Sequence, residues 1–178
     1  WRRPTSGSWT RATSEMRLSA ASTYVLLIHW PIRDRRGRIV ATAVTNLDIH
    51  DIARACRTYG VAGYYVVTPV DAQQRHVRSI VEHWRDSPDL ADHRRREALE
   101  VVRLARDVQE ARADIERACG RRPFMVATSA ARRKEAVGER GLAERAAGGP
   151  LGLCFGTGWG LADEVFEQID ATMEPIDA

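Results

Sequence analysis

Residues 151–164 read LGLCFGTGWGLADE, and this stretch decides the fold. Residues 151–155 form an uncharged apolar run, which suits a strand buried on both faces. Gly156, Thr157, Gly158, Trp159 and Gly160 follow as a tight turn. From there Leu161, Val165, Phe166 and Ile169 recur at helical spacing. The turn therefore joins the C-terminal end of a buried strand to the start of a helix, where open α/β sheets hold ligands. Glycines admit positive φ and close backbone approach, and a helix N-terminus adds partial positive charge. The competing reading is a glycine-rich connector that holds no ligand.

Composition sets the outer limits. A chain of 178 residues suits one domain with a good core. Apolar content of 44% and charged content of 29% are ordinary for a globular protein. The formal net charge of +3 permits nucleic-acid binding without requiring it. Lys134 is the only lysine, so the basic side chains are almost all arginine, which grips phosphate in a bidentate way. Cys56, Cys119 and Cys154 lie far apart beside apolar residues, with no metal-ligand spacing. They read as buried thiols of a reducing, cytoplasmic compartment, and no metal is expected. No apolar run approaches the roughly 20 residues of a membrane helix.

Working outward, residues 1–15 are polar, arginine-bearing and unpatterned, and Met16 reads as a possible true start. Residues 1–22 are expected to be a disordered arm or an extension, with one domain over 23–178. Residues 24–28 are a buried-strand signal, followed by a charged turn at 33–38 and a possible short strand at 39–44. Asp48 is the expected N-cap of a helix whose apolar stripe is Ile49, Ile52, Ala53, Cys56 and Tyr59, with Gly60 ending it. His50, Arg54 and Arg57 share a flank away from that stripe; a solvated helix face is the plain alternative. Residues 61–68 are the next strand. Asp71 caps a helix with Val77, Ile80, Val81 and Trp84 on its core face. Residues 87–93 read as a loop and 100–105 as a strand. Asp107 caps a helix through 118, ended by Gly120. Residues 124–128 form a strand, and 128–135 a basic loop with Arg132, Arg133 and Lys134. A short helix is expected near 142–147 and a last strand at 172–176. Strands alternating with helices predict a mostly parallel five- to six-stranded α/β sheet covered on both faces.

The glycine turn also looks like part of a dinucleotide fingerprint, with Glu174 lying 18 residues after Gly156, where a ribose-binding acid belongs. The third glycine comes one position early, and such a fold needs a long stretch of chain after its first strand.

Taken together, the runs TAVTNLDIHDIARACRTYGV, YYVVTP, VATSA, FGTGWGLADEV and EPI resemble the SPOUT superfamily of S-adenosylmethionine-dependent RNA methyltransferases, in a bacterial branch of predicted enzymes. The resemblance covers residues 23–176. It implies a C-terminal trefoil knot, a homodimer, S-adenosylmethionine as cofactor, and tRNA or rRNA as substrate, methylated on a ribose 2′-oxygen or a base nitrogen. Carried onto this chain, it implies Arg54 as the first-motif arginine, with Asp48 where the family has Asn. Arginine is too weak a base to take a proton readily; holding the target phosphate is the easier task. His50, where the family usually has Gly, is a candidate proton acceptor. The resemblance implies cofactor contacts at Thr128, Ser129, Phe155, Gly156, Thr157, Gly158, Trp159, Gly160, Leu161, Glu174, Pro175 and Ile176. Trp159 could equally pack in the core. RNA contacts are expected at Asn46, Arg57, Arg132, Arg133 and Lys134. The resemblance also implies a third motif, an Asn-x-Leu-Ser-Val-like loop and helix expected to follow Ile176, which residues 1–178 do not contain. A non-catalytic RNA- or nucleotide-binding module with the same fold, or a structural interaction domain, remains the alternative.

Overall fold

A computed structural model describes residues 20–86, 93–130, 133, 136–145 and 148–175. A short 3-10 turn, Ala20–Ser22, leads into β1 (Thr23–Ile28). Then come the hairpin strands β2 (Ile32–Arg33) and β3 (Ile39–Val40), α1 (Asn46–Tyr59), β4 (Gly63–Val67), α2 (Asp71–Asp86) and α3 (His93–Leu99). The second half holds β5 (Val102–Ala105), α4 (Val108–Cys119), β6 (Phe124–Ala127), β7 (Ala136–Val137), α5 (Glu139–Arg145), β8 (Leu151–Gly156), α6 (Asp163–Phe166) and β9 (Ala171–Met173).

Seven of these strands form one sheet in the order β5-β4-β1-β8-β6-β9-β7, with parallel neighbours throughout. The chain first grows leftward from β1 and then returns to build the other half. The switch point thus lies between β1 and β8, and ligands of such sheets sit beyond the strand C-termini at that place.

Register decides which face each side chain buries. Leu26 pairs with Tyr65 on one side and Cys154 on the other. These three pack with Ala111 and Ile115 of α4 and Val165 of α6. The alternate residues Leu27 and Val66 face Ile49, Ala53 and Cys56 of α1, with Val77 and Leu99 beyond. Val126 and Leu151 meet Leu142 of α5 on a smaller patch. Gly60 and Gly120 end α1 and α4 at φ 70° and 67°, as expected, and Asp107 caps α4.

Several expectations need correction. The sheet has seven strands, not five or six. β7 is two residues long inside a segment with no apolar pattern; it exists because β9 offers a free ladder, with Ala136 opposite Thr172 and Val137 opposite Met173. The N-cap of α1 is Thr45, not Asp48. Thr45 is extended, and its hydroxyl accepts from Asp48 N–H while Asp48 accepts from Thr45 N–H, a capping box. His93 opens a helix rather than closing a loop. Cys119 is exposed; only Cys56 and Cys154 are buried, and burial pushes their thiols up to about 11 and about 12. The arm over 1–19 lies outside the described residues, while 20–22 form the 3-10 turn.

Candidate active site

The C-terminal ends of β6, β8 and β9 frame a pocket of about 820 Å³. Three separate segments build it. Thr128, Ser129 and Ala130 come from the end of β6; Gly156, Thr157, Gly158, Trp159, Gly160 and Leu161 from the turn after β8; Met173, Glu174 and Pro175 from the end of β9. Arg33, Arg133 and Phe166 complete the lining.

The glycine turn is held from beneath. Thr157 Oγ1 donates to Ile28 O at 3.1 Å and stands 2.5 Å from Thr42 Oγ1, which is 3.0 Å from His29 Nδ1. The donors run in one direction when His29 carries its proton on Nδ1. His29 is fully buried and its Nε2 has no partner among the described residues. Burial accordingly pushes the imidazole below its ordinary pKa. Arg33 N–H donates to Gly160 O at 2.9 Å, and Trp159 N–H donates to Arg33 O at 3.3 Å, so the turn is laced to the hairpin.

These contacts explain the glycines differently from the sequence reading. A Cβ at Gly156 would meet Leu161 Cγ at 2.9 Å, and one at Gly158 would meet Ile32 Cγ2 at 3.2 Å. Gly158 and Gly160 also need φ of 56° and 105°. The chain's own packing thus requires the glycines before any ligand does. The expected helix from Leu161 is likewise shorter. Leu161 bridges to Ile32 and Ala162 N–H donates to Pro31 O, which keeps the backbone extended until the single-turn α6 starts at Asp163. So short a helix supplies little dipole.

Charge at the rim is ordered. Asp163 is gripped by Arg133 at 3.2 Å and by Arg33. Those two guanidiniums hold its carboxyl below the usual carboxylate range. The Arg133 guanidinium carbon also lies 3.3 Å from the Phe166 ring centroid, in cation–π geometry.

Of the residues expected at the cofactor, Thr128, Ser129, Gly156, Thr157, Gly158, Trp159, Gly160, Leu161, Glu174 and Pro175 all line this pocket. Phe155 does not. It pairs with Leu27, so its side chain takes the opposite sheet face, and the ring is partly exposed. Ile176, Arg132 and Lys134 lie outside the described residues. Trp159 stands on the rim, 68% exposed, so it is not a core residue.

The α1 residues sit elsewhere. Arg54 is exposed and paired with Asp51; Arg57 is exposed, 3.7 Å from Glu97; Asn46 is exposed at the helix start. None of them lines the pocket within one chain. His50 turns toward α2 and packs edge-on to Trp84, ring centroids 6.0 Å apart. Burial, with Arg95 and Arg54 nearby, lowers its pKa, and its Nδ1 lacks a partner among the described residues. The structure therefore separates His50 from the glycine turn. Arg33 and Phe166, which do line the pocket, were missed. Arg33 reads as part of a charged turn and Phe166 as one of a helical apolar pattern, and no local spacing marks either as pocket lining.

A family model described as SAM-dependent RNA methyltransferase matches residues 22–178. The chain belongs to this family. It is 40% identical over 154 residues to a tRNA (guanine-N(1)-)-methyltransferase of Oleidesulfovibrio alaskensis, covering 86% of this chain and 36% of that protein. A protein of the same name from Nitratidesulfovibrio vulgaris is 40% identical over 161 residues, with the same coverage. The chain thus spans about a third of the length of these two relatives. An uncharacterized protein of Aquifex aeolicus is 34% identical over 158 residues, covering 87% of this chain and 77% of that one. Among solved structures, a probable methylase family protein from Haemophilus influenzae matches with a TM-score of 0.53 at 16% identity, over 88% of this chain and 56% of that one, a likeness of fold. Family membership implies S-adenosylmethionine as cofactor. Among the described residues no cluster of His, Cys, Asp or Glu could hold a metal, and no helix is long and apolar enough to cross a membrane.

Proposed function

We propose that this chain holds S-adenosylmethionine in the glycine-turn pocket and methylates an RNA. The observation that carries the reading is the convergence of residues 128–130, 156–161 and 173–175 on one cavity. Its volume of about 820 Å³ falls within the range of small-molecule sites, roughly 300–1,000 Å³. The donor set suits an adenosyl group: main-chain groups of the turn, the apolar Leu161, Phe166 and Met173, and the carboxylate of Glu174 for ribose hydroxyls.

The cofactor's sulfonium supplies an already activated methyl group. The protein's share is to bind, orient and exclude water. In this reading Thr128 and Ser129 form one wall and Glu174 and Pro175 the other, with Ile176 a proposed cofactor contact. The names of the two long relatives favour tRNA, and a base nitrogen over a ribose oxygen. Asn46, Arg57, Arg132, Arg133 and Lys134 are proposed RNA contacts. Arg54 is proposed to hold a substrate phosphate. Since it does not line its own chain's pocket, that role suits a homodimer in which α1 of one copy approaches the pocket of the other. Leu47, exposed on the same face of α1, supports such packing. His50, packed edge-on to Trp84, is the proposed proton acceptor on the same helix.

The domain spans 23–178 in this reading, with SPOUT topology. β8 enters between β1 and β6, and β9 between β6 and β7, so late strands fill gaps between earlier ones, as a trefoil knot would require. Free buried thiols fit a cytoplasmic setting.

Calorimetry with S-adenosylmethionine, followed by transfer of labelled methyl to bulk tRNA and rRNA, tests the proposal. Micromolar binding and transfer to tRNA are expected. Binding without transfer to either RNA would make the chain a binding module; no binding would remove the proposal.

A further inference from the structure

We propose that the arginine-bearing turn between β2 and β3 clamps RNA phosphates, with Trp159 beside it as the stacking platform for a base at the pocket mouth. The inference rests on the RNA methyltransferase reading and gives its pocket a substrate side.

The turn is built in advance. Asp34 Oδ1 accepts from Arg36 N–H and Arg38 N–H, both at 2.8 Å. Gly37 N–H donates to Asp34 O at 2.9 Å, with Gly37 at φ 75°. Arg38 Nε donates to Asp34 Oδ2 at 2.7 Å. The one acid of the turn is thereby spent on the backbone and on Arg38. Arg35 and Arg36 are exposed, and neither pairs with a carboxylate among the described residues. A guanidinium on an ordered turn loses less freedom when it meets a phosphate than one on a loose chain.

The turn is also fixed to the pocket. Arg33 exchanges main-chain hydrogen bonds with Trp159 and Gly160, and Ile32 bridges to Leu161. Asp163, at this rim junction, is already paired with Arg33 and Arg133. What faces solvent is a positive edge leading to a flat, 68% exposed indole. An indole contributes little to stability when solvated, but nucleobases stack on it whatever their sequence. Phosphate grips plus an aromatic platform are the usual means of holding an unpaired nucleotide.

The experiment measures tRNA binding by fluorescence anisotropy over roughly 50–200 mM salt, alongside S-adenosylmethionine binding by calorimetry. The Arg35→Gln, Arg36→Gln double variant should weaken tRNA binding about tenfold and reduce the slope of log K against log salt by about 2, one unit for each phosphate lost. Its cofactor affinity should not change. Trp159→Ala should weaken tRNA binding roughly fivefold or more, with recovery in Trp159→Phe. Melting curves for each variant check the fold. An unchanged salt slope overturns the clamp. Unchanged tRNA affinity in Trp159→Ala, or no recovery in Trp159→Phe, overturns the platform. If no variant or wild-type chain binds the cofactor, the methyltransferase reading fails by itself, while the salt slope still judges the clamp.

Discussion

Thr157→Val probes how the glycine turn is held. The swap keeps the branched shape and replaces the hydroxyl by a methyl group. That hydroxyl donates to Ile28 O at 3.1 Å and meets Thr42 Oγ1 at 2.5 Å. Each such bond contributes about 0.5–1.5 kcal/mol net, so losing both costs about 2 kcal/mol. Thr42 keeps its contact with His29 Nδ1, which limits the damage to the turn. In a domain of this size, about 2 kcal/mol lowers Tm by roughly 4–8 °C. Urea unfolding and calorimetric melting would measure it, with Thr157→Ser as the variant that should stay close to wild type. A Thr42→Val, Thr157→Val double variant should cost less than the sum of the singles, because they share a bond. A valine variant within about 0.5 kcal/mol of wild type would show that the network does not hold the turn.

Two further outcomes follow from the same geometry. Gly158→Ala should destabilise by about 1–2 kcal/mol, from its positive φ and the 3.2 Å approach to Ile32 Cγ2, and should weaken cofactor binding measured by calorimetry. Burial depresses the pKa of His29 in the folded chain, so the unfolded state takes up the proton first. Stability from the neutral ring is full above its ordinary value of about 6.5 and is lost as pH falls from there toward the folded value. Tm between neutral and mildly acidic pH should therefore fall more steeply in wild type than in His29→Asn; equal slopes would exclude His29 as the cause.

Much of the pocket was legible because a glycine turn after an apolar run carries a local signal. Thr128, Ser129 and Glu174 were placed beside it through the family resemblance, and they do line it. His50 and Phe155 lie off the pocket for one reason: periodicity tells which residues share a face, not what that face meets. His50 shares a flank with Arg57, but the flank meets α2 and α3. Phe155 is adjacent to Gly156, but register turns it to the other side of the sheet.

Sequence alone determined the alternating strands and helices, the caps at Gly60, Asp107 and Gly120, and the turn at residues 156–160, since each depends on residues within a few positions of one another. Tertiary structure decided the strand order, the two-residue β7, the lacing of Arg33 to residues more than a hundred positions away, and the side to which α1 turns its arginines. Those outcomes come from pairing and packing between distant segments, and no local spacing in the chain records which distant backbone a strand edge will meet.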